Sequence, residues 1–418
     1  MSTSLLSPDG VRLEMRGNQI PTSPGFRPNE AQRRIETSLT RAIEWVQRHG
    51  YRGYEPADGN SSILFPLTLG KVFPMRLLQQ VVLRAPFNIR PLLGVSPHES
   101  AIGRGYMAWG YLVLSRSERA SPQVLDEARS CLDWLVSNRA PRYDDVCWGD
   151  PYEYATRSGR RPRGEPLLIW SALIGHAFLE AFDVLKDRRY LTTAESIGSW
   201  ILKLPIERTD TGGCLSYVAY RQSSIHNSNA MGAAFLARLG QLTGNRAMLA
   251  AARDAMRYTC SRQRNDGAWF YGEEPKYHWV DNFHTGYNLS ALRVYRAASG
   301  DGSFDRQLSL GMDYFTANFF EEDGRPRYFD NRTYPVDIQC AAQAIETLSS
   351  FSDERPECLG QAIRVADWTV TNMQAPDGHF CYRDLGWTRV TTPMLHWGQA
   401  TMVKALAVLL SKLTPPHA

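Results

Sequence analysis

Six stretches of this 418-residue chain open alike. Each follows a polar, aromatic loop and starts a long apolar helix pattern with His, Asp, Asn or Gln. They read HESAIGRGYMAWGYLVL from His98, EPLLIWSALIGHAFLEAF from Glu165 and IHNSNAMGAAFLARLG from Ile225. VDNFHTGYNLSALRVY from Val280, VDIQCAAQAIETL from Val336 and MLHWGQATMVKALAVLL from Met394 complete the set. The later starts lie about 55 to 60 residues apart. A period of that length in an all-helical pattern means a repeated helical hairpin. One hairpin cannot bury its own apolar face, so neighbours must stack. Six hairpins closing on themselves make an all-α fold, an (α/α)6 toroid. Its concave mouth would collect the polar openers, so the repeat predicts the place of a site as well as a fold.

Apolar residues recur at three- and four-residue spacing in two sets of segments. Outer helices are predicted over about 31–49, 123–139, 188–204, 246–263, 304–320 and 357–374. Inner helices are predicted over about 98–117, 166–186, 226–243, 281–299, 336–351 and 394–413. The inner set is richer in Gly and Ala, which lets its helices approach closely. Residues 31–418 therefore read as one barrel domain, and the polar stretch 1–30 as a loose arm. Inner-to-outer turns such as LTGNR and SGDGS are short. The outer-to-inner connections 50–97, 140–165, 205–225, 264–280, 321–335 and 375–393 are long and fall on one end. That end carries the N-termini of the inner helices, whose free N–H groups and dipoles favour anionic or hydroxyl-rich ligands.

The net charge of +4 is too small to argue for nucleic acid but suits an acidic ligand. No run approaches the ~18 apolar residues of a membrane span. The start of the chain lacks a signal-peptide pattern, and the seven Cys are odd in number without CxxC spacing. Together these predict reduced thiols and a cytoplasmic protein. HExxH and paired-carboxylate metal motifs are absent, so no metal and no cofactor are expected.

The densest candidate block runs His278 to Tyr287. Asp281 suits an N-cap, and His284 sits one turn along the same face. A carboxylate beside an imidazole fixes its tautomer and equips it for acid/base work. A cap plus a packed histidine is the plainer alternative. His226, Asn227 and Asn229 open the third inner helix and look like a lining, Asn282 sits beside Asp281, and Asp337 with Gln339 opens the fifth. His396 opens the last. Trp148, Tyr152, Tyr217, Trp269, Tyr271 and Trp279 lie in the same-end loops and could stack on sugar rings. Arg90, Arg157, Arg383 and Arg389 could hold a carboxylate or phosphate. Asp281, His284, His226 and Asp337 are the expected catalytic set, drawn from three neighbouring inner helices. The Asp-Gly units at Asp266 and Asp377 read first as structural turns.

Segments such as EPADGNSSILF, NIRPLLGVSP, CWGDPYEY, LSYVAYRQSSIHNSNAMGAAFLARLG and YPVDIQCAAQAIETL resemble bacterial polysaccharide-biosynthesis proteins of the VpsJ type. The resemblance covers roughly residues 50–410 and implies a six-hairpin glycosidase-like fold. It also implies a role in exopolysaccharide or surface-polysaccharide production, with an oligosaccharide or polysaccharide substrate and association with other proteins of that pathway. It assigns no catalytic residues. QRNDGAW is similar to the QxxxGxW repeat of terpene cyclases, and DNFHTGYNLSAL to a zinc-binding segment of protein prenyltransferases. The Asp-x-Cys partner of that zinc site is replaced here by His226-Asn227-Ser228-Asn229, and the cyclase DxDD acid is missing. Acid/base chemistry on a sugar (hydrolysis, elimination or epimerisation) is the reading of the residues. Asp281 with Asp337 is the candidate pair for hydrolysis, and His226, His284 or Tyr217 the candidate base. Non-catalytic glycan binding and a cyclase or prenyltransferase are the alternatives.

Overall fold

A computed structural model describes residues 28–117, 121–156 and 159–413. The polar arm up to residue 27, and Arg157, lie outside the described residues. In chain order the helices are α1 (Pro28–Arg48), α2 (Val72–Arg84), α3 (Ala101–Leu114), α4 (Pro122–Ser137), α5 (Leu168–Leu185) and α6 (Arg188–Leu202). They continue as α7 (His226–Thr243), α8 (Arg246–Cys260), α9 (Asn282–Ser299), α10 (Asp305–Asn318), α11 (Ile338–Phe351), α12 (Glu357–Met373) and α13 (Thr401–Leu413). A π-helical turn, Leu395–Ala400, leads into α13. Strands are short. β1 (Tyr154–Thr156) pairs with β2 (Gly159–Arg161), and β3 (Ile206–Thr209) with β4 (Gly212–Leu215). β5 (Val336–Asp337), β6 (Arg383–Asp384) and β7 (Arg389–Val390) form a small antiparallel sheet.

The inner ring runs α3–α5–α7–α9–α11–α13, and α13 packs back on α3 to close it. Each of α4, α6, α8, α10 and α12 backs the inner helix just before it, while α1 backs α13 from the other end of the chain. The fold is an (α/α)6 toroid. Small residues make the inner ring tight. A Cβ on Gly175 would fall 2.5 Å from the Phe235 ring, and one on Gly105 2.8 Å from Ile174. Apolar faces of both rings merge in one core, in which each buried Leu, Ile or Phe contributes roughly 1.5–3 kcal/mol.

Two expectations need correction. The connection 50–97 contains a helix, α2, with Pro74 inside its first turn, where its missing N–H costs nothing. And α5 is long and apolar enough to cross a membrane by length and composition, because an inner helix is covered on all sides and most of this one is buried in the ring.

The Asp-Gly turns are clamps. Gly267, Gly324 and Gly378 have φ of +95°, +91° and +106°. A Cβ on them would meet Leu310 O at 2.3 Å, Arg364 O at 2.5 Å and Arg41 O at 2.6 Å. These carbonyls belong to α10, α12 and α1, so each turn seats on the outer helix of the next hairpin. Gln263 and Gln374 fix their turns by donating to Gly267 O and Gly378 O, and reach across to Gln307 O and Ser38 O.

Candidate active site

The long loops and the inner-helix N-termini enclose a cavity of about 420 Å³ at the mouth of the barrel. Arg76, Gln79, Gln80 and Leu83 of α2 form one side. Their spacing places them on one face of that helix. Tyr106, Tyr287 and Gln339 close the floor. Tyr106 and Tyr287 share a hydrogen bond of 2.7 Å, and Gln339 Nε2 donates to the Tyr287 hydroxyl. Tyr152, Tyr154, Trp170, Tyr217, Tyr271, Trp279, Tyr328, Tyr382 and Trp397 supply aromatic walls. Burial drives the Tyr152, Tyr271 and Tyr328 phenols well above their ordinary range, so they stay neutral hydrogen-bond donors.

Two imidazoles line this cavity, and each is held by a fully buried carboxylate. Asp281 caps α9 by accepting from His284 N at 3.0 Å. Its other oxygen accepts from Trp279 Nε1 at 2.9 Å and faces His284 Nδ1 at 2.7 Å. A carboxylate can only accept, so Nδ1 carries the proton and Nε2 is the basic nitrogen. His396 opens the π turn. Its backbone N donates to Glu55 Oε1 at 3.0 Å, and its Nδ1 lies 2.5 Å from Glu55 Oε2. That second contact is close but lacks the geometry of a hydrogen bond. Glu55 is steadied in turn, since its backbone N donates to Asp58, and Arg90 grips both Asp58 and Glu55 O. The two imidazoles are linked ring to ring. His284 lies on Phe283 at 3.9 Å, Phe283 meets Trp397 at 5.3 Å, and Trp397 meets His396 at 5.5 Å.

Charge on the wall is mainly positive: Arg76, Arg161, Arg221 and Arg383 against Asp150. Arg161 pairs with Asp150, whose carboxyl burial pushes up against the pull of that guanidinium. Arg383 pairs with Asp337 at 2.5 Å, across the β5–β6 register. Several polar atoms of the wall are buried with no partner: Asn227 Oδ1, Gln339 Oε1 and Arg161 Nε. Buried polar atoms are normally satisfied, so these suit the hydroxyls of a ligand.

The structure thus brings His284, His396, Asn227, Gln339, Tyr152, Tyr217, Tyr271 and Trp279 to one cavity. Of the four residues expected to be catalytic, only His284 lines it. Asp281 stands behind His284. Asp337 stands behind Arg383 and Trp397, whose Nε1 donates to it at 2.9 Å. His226 turns away to Glu273 at 2.6 Å. Asn229 is a core strut that bonds Leu215 N, Ala255 O and the Thr259 hydroxyl. Asn282 is buried beside Asp281 without lining the wall. Trp148 and Trp269 are core residues too. Their indole N–H groups donate to Leu135 O and Thr259 O in the last turns of α4 and α8, each of which also accepts a backbone N–H. Arg90 serves Glu55 rather than a ligand, and Arg389 lies exposed on β7 near Asp384. Burial lifts the Tyr217 phenol to about 12, against Arg161, so it is no base at neutral pH. Among the described residues, no three His, Cys, Asp or Glu side chains gather as metal ligands.

No protein-family model matches the chain, and no curated protein matches it. Solved structures do. An unsaturated glucuronyl hydrolase specific for heparin superposes with a TM-score of 0.60 at 11% identity, over 92% of this chain and 98% of that one. Cellobiose 2-epimerase from Bacillus thermoamylovorans gives 0.58 at 9% identity, over 75% of this chain and 90% of its own. A family 76 mannosidase from Bacteroides thetaiotaomicron gives 0.55 at 12% identity, over 92% and 99%. The fold is that of the six-hairpin glycosidase-like enzymes.

Sequence reasoning missed Glu55, Asp150, Arg161, Trp170 and Trp397 of this six-hairpin site. Glu55 had a signal only in its setting, an acidic residue in the aromatic stretch Tyr51–Tyr54 that enters the first long loop. Its partner lies 341 residues away.

Proposed function

We propose that this protein is a carbohydrate-active enzyme that moves a proton at a carbon of an acidic sugar, the chemistry of an epimerase. The carrying observation is the pair of carboxylate-held imidazoles lining one cavity. Hydrolysis through two facing carboxylates is disfavoured, because Asp281 and Asp337 are buried and already committed to His284, Trp279, Arg383 and Trp397.

In this reading His284 Nε2 removes the proton from the carbon beside a uronate carboxylate. The electron pair passes into that carboxylate, which the wall guanidiniums stabilise. His396, with Glu55 behind it, returns a proton to the opposite face. Solvent then resets both imidazoles. Aromatic walls hold the flanking sugars, and Asn227 and Gln339 receive hydroxyls. The resemblance of the repeats to polysaccharide-biosynthesis proteins supports a substrate from exopolysaccharide or surface-glycan production in the cytoplasm.

The test is incubation with uronate-containing oligosaccharides in D₂O, followed by NMR. Deuterium at the inverted carbon is the expected result. Cleavage with a new double bond would assign the same imidazoles to elimination. Binding with neither exchange nor cleavage would leave a glycan-binding protein.

A further inference from the structure

The first long connection carries an apolar face that nothing in the described chain covers. On α2, Phe73, Leu77 and Val81 are 78%, 56% and 54% exposed and fall on one side of the helix. Leu67 and Leu69 before it, and Phe87 and Leu92 after it, are also largely exposed. Most of the exposed large apolar side chains among the described residues sit in this one segment. The adjoining side of α2 lines the cavity with Arg76, Gln79, Gln80 and Leu83, while Met75, Gln79 and Val82 face the fold and are buried. The helix therefore forms a lip that borders the site and shows a greasy surface directly beside it.

Charge within this segment has one sign. From Gly59 to His98 the sequence contains no Asp or Glu, but it contains Lys71, Arg76, Arg84 and Arg90. Lys71 and Arg84 are exposed and, among the described residues, face no carboxylate. Arg160 of the β1–β2 hairpin, which packs on α2, reaches Gly70 and is paired with Glu153 at 2.7 Å, so it adds no net charge. We propose that this lip docks on an anionic lipid surface. A helix with Phe, Leu and Val on one face and basic residues at its margin suits the headgroup boundary, which offers acyl chains and negative charge together. A second copy of this chain is a poor occupant, because a two-fold contact through this segment would gather the Lys71 and Arg84 of both copies, and the segment brings no acid while the neighbouring Glu153 is already held by Arg160. Docked in this way, the protein holds its cavity at headgroup depth, where lipid-linked glycans present their sugars. The docking surface stands independently of the reaction in the cavity.

The experiment is co-sedimentation of the full chain with vesicles of phosphatidylcholine plus phosphatidylglycerol, and with phosphatidylcholine alone. Binding to the anionic vesicles only, weakened by salt, is expected. Lys71→Ala and Arg84→Ala each lower partitioning roughly fivefold, and the double variant Phe73→Ser, Leu77→Ser abolishes it. These side chains are exposed, so thermal melting stays unchanged. Absence of binding, equal binding to neutral vesicles, or a concentration-dependent dimer lost in Phe73→Ser, Leu77→Ser would each overturn the proposal.

Discussion

The lumen of the toroid has two ends, and both are polar. At the far end the polar groups consume one another. Lys404 Nζ meets Glu346 at 2.7 Å and lies 3.3 Å above the Trp109 ring. Arg238 bridges Glu180 at 2.9 Å and His176 Nδ1 at 3.2 Å. Four inner helices, α5, α7, α11 and α13, supply these pairs. At the mouth, carboxylates hold imidazoles by one nitrogen, and Asn227 and Gln339 keep bare oxygens. Polarity inside a barrel is therefore not a sign of a site. Unspent hydrogen-bonding capacity is.

Substitutions at the two ends separate these roles. At the mouth, His284→Ala and His396→Ala should each lower turnover by ~10²–10⁴ with melting temperature nearly unchanged, measured by product NMR and calorimetry. A melting loss as large as the activity loss would erase the distinction. At the far end, Lys404→Met leaves Glu346 without its partner and should cost about 3–5 kcal/mol of stability in denaturant titration. The double variant Lys404→Met, Glu346→Leu should recover most of that loss.

A third test uses acid. Burial, with Arg238 and Lys404 nearby, holds His176 well below its ordinary 6.5, so it is neutral in the fold. The unfolded chain takes up that proton first. Stability is then complete above the unfolded value and falls as pH drops below it, by at most about 1.4 kcal/mol per pH unit. His176→Phe should flatten this acid limb in pH-dependent melting. The smallest effect belongs to Asn227→Ala, which should raise KM a few-fold and leave kcat and melting alone, because its oxygen has no protein partner to lose.

How far the sequence revealed these regions depended on the distance between partners. The rings were legible because the apolar period is local, and the predicted inner segments match α3, α5, α7, α9, α11 and α13 within a few residues. α2 was hidden by Pro74 and by a run whose apolar residues face both ways. His284 with Asp281 was legible, being one turn apart. His396 with Glu55 was not, since only the closed ring brings the first long loop to the last inner helix, and Asp337 with Arg383 was not, since two-residue strands pair them across 46 residues. Trp269 misled for another reason. An aromatic residue in a loop reads the same whether it faces a sugar or caps the carbonyls of a helix.

The clamp at Gly378 has a consequence for how the ring is made. It grips α1, and Arg41 donates back to Ala375 O across 334 residues of chain. The apolar stripe of α1 (Ile35, Leu39, Ala42, Trp45 and Val46) packs on α12 and α13. The ribosome delivers α1 long before those helices. At about 5–20 residues per second, that stripe waits tens of seconds without its groove. The nascent chain exposes a ready target for chaperones, and the seam between α1 and α13 is the last to form.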